Sequence, residues 1–316
     1  MRASLEKNNL PKKHHYIPVF YLKRWIGSDG RLCQFSKPNG AVIPNRKYPS
    51  QTGFEDRLYT IKGVSDSVAQ QMEELFLKPV DARASEALRL MEKDGNKAHW
   101  NSELRSAWTK FLHSLLLRCP EDVQSFLDIW NHHYISDATG EWEIKYQKVR
   151  RAIDPATYQE YMLRIPRENI DANGMKTLAN LIDSEVSGTK INNMLWYILD
   201  TKNAGIEFLT SDRPIVRTNG LMRQNGHLVL AIGPRRLFIA ARNEETLNSI
   251  LRVSQKKLIK EYNTQVVKCA FRFSYGTSDN QLHFVKKHMS TDYQPRLVDA
   301  FTKNQDTISN AIRTKS

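Results

Sequence analysis

Apolar positions along this chain change their period twice. From residue 65 to about 204 they recur every three or four places, as Val68, Met72, Leu75 and Phe76 do, which predicts helices. Pro79 predicts a kink or split before an Ala82–Met91 helix. Leu104–Leu117 follows, with Ser102 as an incomplete cap because Arg105 stands where a capping box has Glu. Pro120 opens a further helix to about Tyr134, and segments 154–163, 173–185 and 189–200 complete the series. On either side the pattern alternates instead. "RLCQFSKPNGAVIP" predicts a hairpin of Arg31–Ser36 with Ala41–Ile43 around a Pro-Asn-Gly turn, and "RLYTIKG" predicts another strand. Beyond Gly205, "IEFLTSDRPIV" and "GHLVLAIGPRRLFIAA" predict strands. Leu258, Tyr262, Val266 and Ala270 then share a helical face ending near Gly276.

The pattern therefore predicts an α+β fold, a mostly helical middle packed on one sheet built from strands of the N- and C-terminal parts. Its divisions are a flexible basic arm at 1–13, a helix with β strands at 14–64 and a helical region at 65–204. Strands and a long helix follow at 205–290, and a tail at 291–316. A length of 316 residues fits one compact domain over 14–290.

Charge adds a partner class. Lys and Arg number 47 against 34 Asp and Glu, a formal net charge of +13. Residues 1–60 hold 11 basic and 4 acidic side chains, and 217–272 hold 11 and 3, so two distant blocks carry the excess. Such blocks favour an anionic partner, nucleic acid first. Cys33, Cys119 and Cys269 are odd in number and far apart, which argues against a disulfide framework or a cysteine zinc site. No apolar leader opens the chain, and Pro234, Arg235 and Arg236 break its most apolar run. The expectation is a reduced cytoplasmic protein without a membrane partner. Its oligomeric state is not legible.

Candidate chemistry gathers at "HHYIPVFYLKRW". His14 and His15 precede Pro18, and imidazole is the side chain suited to proton transfer at neutral pH. On an extended segment the two rings point to opposite faces, which assigns one to chemistry and the other to packing. The competing reading makes the pair a helix-opening element. Asp212 in "TSDRP" stands at a strand end as general base, histidine orienter or metal ligand, or else as an Asx turn. Arg235 and Arg236 in "GPRR", with Arg213, Arg24 and Lys23, are candidate anion ligands. Tyr16, Tyr21 and Trp25 are candidate stacking platforms. No metal-ligand motif is legible, although Mg2+ or Mn2+ is compatible with a His/Asp site.

"HHYIPVFYLKRW", "EDRLYT", "MEELF", "LLRCP", "FLTSDRPIV", "GPRRLFIA" and "EYN" occur in the order seen in the bacterial domain-of-unknown-function family 4238, which the chain resembles from residue 14 to about 275. One departure is Cys119 in Arg118-Cys119-Pro120, where the family pattern implies threonine. The resemblance bears on fold and boundaries and implies no reaction. The leading functional expectation is a nuclease-like phosphodiester hydrolase of RNA or DNA. The alternatives are a nucleic-acid-binding module without catalysis and a protein-interaction or regulatory domain.

Overall fold

The computed structural model describes residues 13–60, 72–136, 140–218 and 220–292, with residue 299 beyond them. Most of the basic arm, the start of the helical region at 65–71 and most of the C-terminal tail lie outside the described residues.

Strand β1 (Lys13–His15) leads through Pro18 into a single helical turn, α1 (Val19–Leu22), continued by a 3-10 turn over Lys23–Trp25. Strands β2 (Leu32–Ser36) and β3 (Ile43–Lys47) then form the expected hairpin. Its turn is built where the sequence places it, with Asn39 at φ 52° and Gly40 at φ 83°, conformations that Asn and Gly tolerate. The second strand begins two residues later than the pattern implied. It is a polar edge strand, paired only to β2, and so carries no alternation to read. Strand β4 (Phe54–Asp56) pairs antiparallel with β1, His14 opposite Glu55. The strand expected at "RLYTIKG" is instead a turn through residue 59, with Arg57 at φ 56°. Residues 61–63 of that segment lie outside the described ones.

The middle is helical. A π-helical stretch at Met72–Leu77 runs into α2 (Lys78–Asp94), with Pro79 accommodated in its first turn. Helix α3 (Ser102–Leu117) is capped by Asn101, whose side chain accepts from the Leu104 N–H at 2.8 Å, so Ser102 is its first residue and not its cap. Then come α4 (Pro120–Ser136), α5 (Glu141–Val149), α6 (Tyr158–Arg164), α7 (Arg167–Ile182) and α8 (Glu185–Asn192). The helix expected at 189–200 ends at Asn192, and "LWYILD" forms β5 (Leu195–Asp200). A six-residue apolar run has too little length for its period to decide, and pairing with a neighbour decides it.

Strands β6 (Thr210–Ser211), β7 (Ile215–Arg217), β8 (His227–Gly233) and β9 (Arg236–Ala241) precede α9 (Glu244–Leu251) and α10 (Gln255–Lys268). The long helix stops at Lys268, short of Gly276, and Phe273–Gly276 is a strand, β10, followed by α11 (Leu282–His288). That strand carries the topology. It lies between β2 and β6, so strands from both ends of the chain meet in the antiparallel order β3-β2-β10-β6. A second antiparallel sheet, β5-β9-β8-β7, takes the remaining C-terminal strands. The class is α+β, with the strands divided between two four-stranded sheets and the β1–β4 pair.

Buried aromatics fasten the N-terminal turn to both four-stranded sheets. Trp25 donates its indole N–H to the Phe208 carbonyl at 2.9 Å. The Tyr21 hydroxyl donates to the Ala231 carbonyl at 2.8 Å and lies 2.8 Å from the Thr210 hydroxyl. Gly53 holds the motif from the other side: its carbonyl accepts from Tyr16 and Ile17 N–H at 2.9 and 3.0 Å. At φ +66°, with Ile17 3.1 Å from where a Cβ would stand, the position admits only glycine without strain. Among the described residues no helix is long and apolar enough to cross a membrane, and Cys33, Cys119 and Cys269 form no disulfide.

Candidate functional site

Strand alternation separates the two histidines. His14 is fully buried, stacked on Tyr59 with ring centroids 5.5 Å apart, and its Nδ1 accepts from the Tyr59 N–H at 3.0 Å. An accepting Nδ1 leaves the proton of the neutral ring on Nε2. His15 faces the other way, half-buried against Phe54, and its buried Nε2 has no hydrogen-bond partner. Burial lowers its pKa to about 4, against a backbone hydrogen bond at Ser50 and helped by the nearby charges of Lys13, Arg118 and His14. It is therefore a neutral imidazole at pH 7, not one raised by a carboxylate as a His15–Asp212 pair implies.

Arg118 ends α3 and has no exposed surface. The Tyr59 hydroxyl donates to its backbone carbonyl at 2.7 Å, which connects it to the ring stacked on His14. Its guanidinium lies over Phe111 at 5.6 Å, and Nη1 donates to Asp81 at 2.9 Å. Nε and Nη2 are buried without partners. An unmet donor inside a protein costs about 1–3 kcal/mol, and more on a charged group. Glu73 stands within electrostatic reach, with its Oε2 likewise buried and unpartnered. Burial, with Asp81 adding, pushes the Glu73 carboxyl up to about 7 against the pull of Arg118 and Lys78.

Cys119 continues the path. Its thiol donates to the Asp212 carbonyl at 3.0 Å. The Asp212 carboxylate accepts from the backbone N–H groups of Phe271 at 2.9 Å, Phe273 at 3.0 Å and Arg272. Burial raises its pKa to about 6, opposed by those three donors and by Arg213. Asp212 is thus the clasp that fixes the chain entering β10. The adjacent turn is closed by the Ser211 hydroxyl, which accepts from the Arg213 N–H at 3.0 Å. Three ion pairs brace this corner, two against α4 and one against β4. Arg213 forks onto Asp122 at 3.0 and 3.1 Å, and Arg272 bridges Glu121 at 2.6 Å and Glu55. The Tyr16 hydroxyl is buried without a partner, and burial, with Tyr275, Asp212 and Cys119, raises its pKa.

A continuous path of contacts therefore runs His14–Tyr59–Arg118–Cys119–Asp212, with His15 and Glu73 within electrostatic reach of Arg118. Arg213 belongs to the same corner. The other candidate anion ligands lie elsewhere. Arg24 pairs with Glu92 at 2.9 Å, and Arg236 reaches the Glu92 carbonyl at 2.6 Å and Asp200 at 3.6 Å. Arg235 is held by Glu207 at 3.0 Å and by the Lys202 carbonyl at 3.1 Å. Lys23 is exposed. Tyr16, Tyr21 and Trp25 are core residues, each at most 1% exposed, and present no ring face to a partner in this conformation. Among the described residues no group of three or more His, Cys, Asp or Glu side chains is arranged to hold a metal ion.

Sequence reasoning passed over Tyr59, Glu73, Asp81 and Arg118. The signal was present: "EDRLYT", "MEELF" and "LLRCP" each put polar groups into apolar surroundings, and these are the groups that converge. A family model described as "Protein of unknown function (DUF4238)" matches residues 13–280. No curated protein and no solved structure matches the chain.

Proposed function

The chain belongs to the DUF4238 family, whose description names no activity, and we propose that it hydrolyses phosphodiester bonds in nucleic acid, with His15, Arg118 and Glu73 at the reaction centre. One observation carries this reading. A buried guanidinium with two unpartnered donors acts on a neutral imidazole whose Nε2 is unpartnered and on a carboxyl that titrates near 7. A guanidinium fork is the side chain best matched to phosphate oxygens, and a neutral base paired with a protonated acid is what hydrolysis needs. The two basic blocks of sequence suit the same polyanion.

His15 is the half-buried member of the group while Arg118 and Glu73 are buried, so in this reading substrate enters past His15 and the corner opens to admit it. His15 Nε2 takes a proton from water as its oxygen bonds to phosphorus. The phosphorus–oxygen ester bond breaks, and the leaving oxygen receives the Glu73 proton. Arg118 bears the charge that grows on the phosphoryl oxygens. Asp212 is a positioning residue, since it holds Arg272 and the Cys119 corner. A reduced protein acting on nucleic acid is assigned by the same reading to the cytoplasm.

The test incubates the purified chain with end-labelled RNA and DNA, in Mg2+, in Mn2+ and in EDTA. The expected result is cleavage that drops about a hundredfold or more in His15→Gln, with little change in melting temperature. Absence of cleavage in every condition, or a His15→Gln variant as active as wild type, overturns the proposal. Salt-sensitive binding without cleavage would favour the binding-module reading instead.

A further inference from the structure

Away from the His15 corner, a cleft opens between α3 and the turn from α7 into α8. Its volume is about 640 Å3, within the range of small-molecule sites. Ser106, Thr109, Lys110 and His113 face it from one side of α3, at the three- and four-residue spacing that puts side chains on one helical face. The opposite wall comes from residues 180–192.

The polar groups of this cleft are already organised. The Thr109 hydroxyl donates to Asn192 Oδ1 at 2.6 Å, and Asn192 Nδ2 donates to the Ser106 hydroxyl oxygen at 3.3 Å. Ser106 therefore keeps its own proton for another acceptor. Lys110, the one cation among the described lining residues, is held by Asp183 at 2.5 Å. Glu185 adds a negative charge to the rim.

His113 is 6% exposed, and its Nδ1 lies 3.3 Å from the Ile182 carbonyl. A carbonyl only accepts, so the Nδ1 carries the proton and Nε2 is left as a bare acceptor. Burial lowers the His113 pKa, which keeps the ring in that neutral form.

We infer that this cleft binds an uncharged small molecule bearing hydroxyl or N–H donors, of sugar or nucleoside size, with one donor directed at His113 Nε2. The shared chemistry is hydrogen-bond donation without charge. An anion finds the only cationic side chain of the described lining, Lys110, already paired with Asp183 and faces Glu185 besides. This site is independent of the proposed hydrolytic centre and uses none of its residues.

The test titrates the full chain with adenosine, ribose and AMP at millimolar concentration, followed by ligand-observed NMR. Saturable binding of ribose, of adenosine or of both is expected, the pattern separating a sugar site from a nucleoside site. His113→Phe should weaken that binding by about tenfold or more, through loss of the acceptor. Val186→Trp is the second variant: Val186 lines the cleft, is 66% exposed and lies outside the core, so an indole there blocks the space without unfolding α8. Loss of binding in Val186→Trp supports the assignment even where His113→Phe does not fold. No binding of adenosine or ribose overturns it, as does binding that both folded variants retain. AMP binding tighter than adenosine, and removed by Val186→Trp, overturns the uncharged specification.

Discussion

Tyr59 stacks its ring on His14 and donates its hydroxyl to the carbonyl of Arg118, so one side chain joins the N-terminal strand to the end of α3. Both ends of that side chain are buried. Tyr59→Phe keeps the stack and leaves the carbonyl without its donor. The expected loss is about 1–3 kcal/mol of stability, read by urea unfolding. A variant as stable as wild type would mean that water takes over the carbonyl.

Hydrolysis by a neutral His15 and a protonated Glu73 has a defined pH window. His15 must be deprotonated, which holds above about 4, and Glu73 protonated, which holds below about 7. The rate should therefore form a plateau between these values, falling on the acid side with His15 and on the alkaline side with Glu73. A pH–rate profile still rising at pH 9 would remove Glu73 from the role of acid.

Stability should carry the Glu73 titration separately. Its folded-state pKa is raised from 4.5 to about 7, so the folded chain binds the extra proton and this contribution is lost as pH rises through 7. Glu73→Gln imitates the protonated form at every pH. The variant should match wild type near pH 4.5 and exceed it at pH 8, measured as the difference in unfolding free energy. A difference independent of pH would place Glu73 in water.

In the Arg213–Asp122 pair the Asp122 side chain is fully buried and that of Arg213 is 15% exposed. Asp122→Ala leaves the guanidinium without its fork and should cost about 3–5 kcal/mol in chemical denaturation. Replacing both residues together by apolar ones should cost less than Asp122→Ala alone, because no unpaired charge remains.

The amphipathic middle and the Pro38-Asn39-Gly40 turn were legible because their signals are local: period, proline and glycine. β5 and β10 were not, since a stretch of four to six residues is too short for its period to decide between helix and strand and is settled by the strand beside it. The opposed directions of His14 and His15 follow from strand geometry alone. The burial of Arg118 and Glu73 does not, because a charged residue in a helical segment reads as solvent-facing until tertiary packing closes over it. Asp212 shows the same limit: its place at a strand end is readable, but its three donors come from residues 271–273, far along the chain.

The position of β10 between β2 and β6 also sets an order of events during synthesis. The β2–β3 hairpin leaves the ribosome with one edge of β2 unpaired, and its partner is translated about 240 residues later. At the usual pace of elongation, that edge waits roughly ten to fifty seconds for its neighbour. During that interval β2 offers a row of free backbone donors and acceptors beside Leu32, Cys33 and Phe35, a template that any nascent strand can occupy. Expression at lower temperature, or with a holding chaperone present, should therefore raise the soluble yield more than any change to the helical middle.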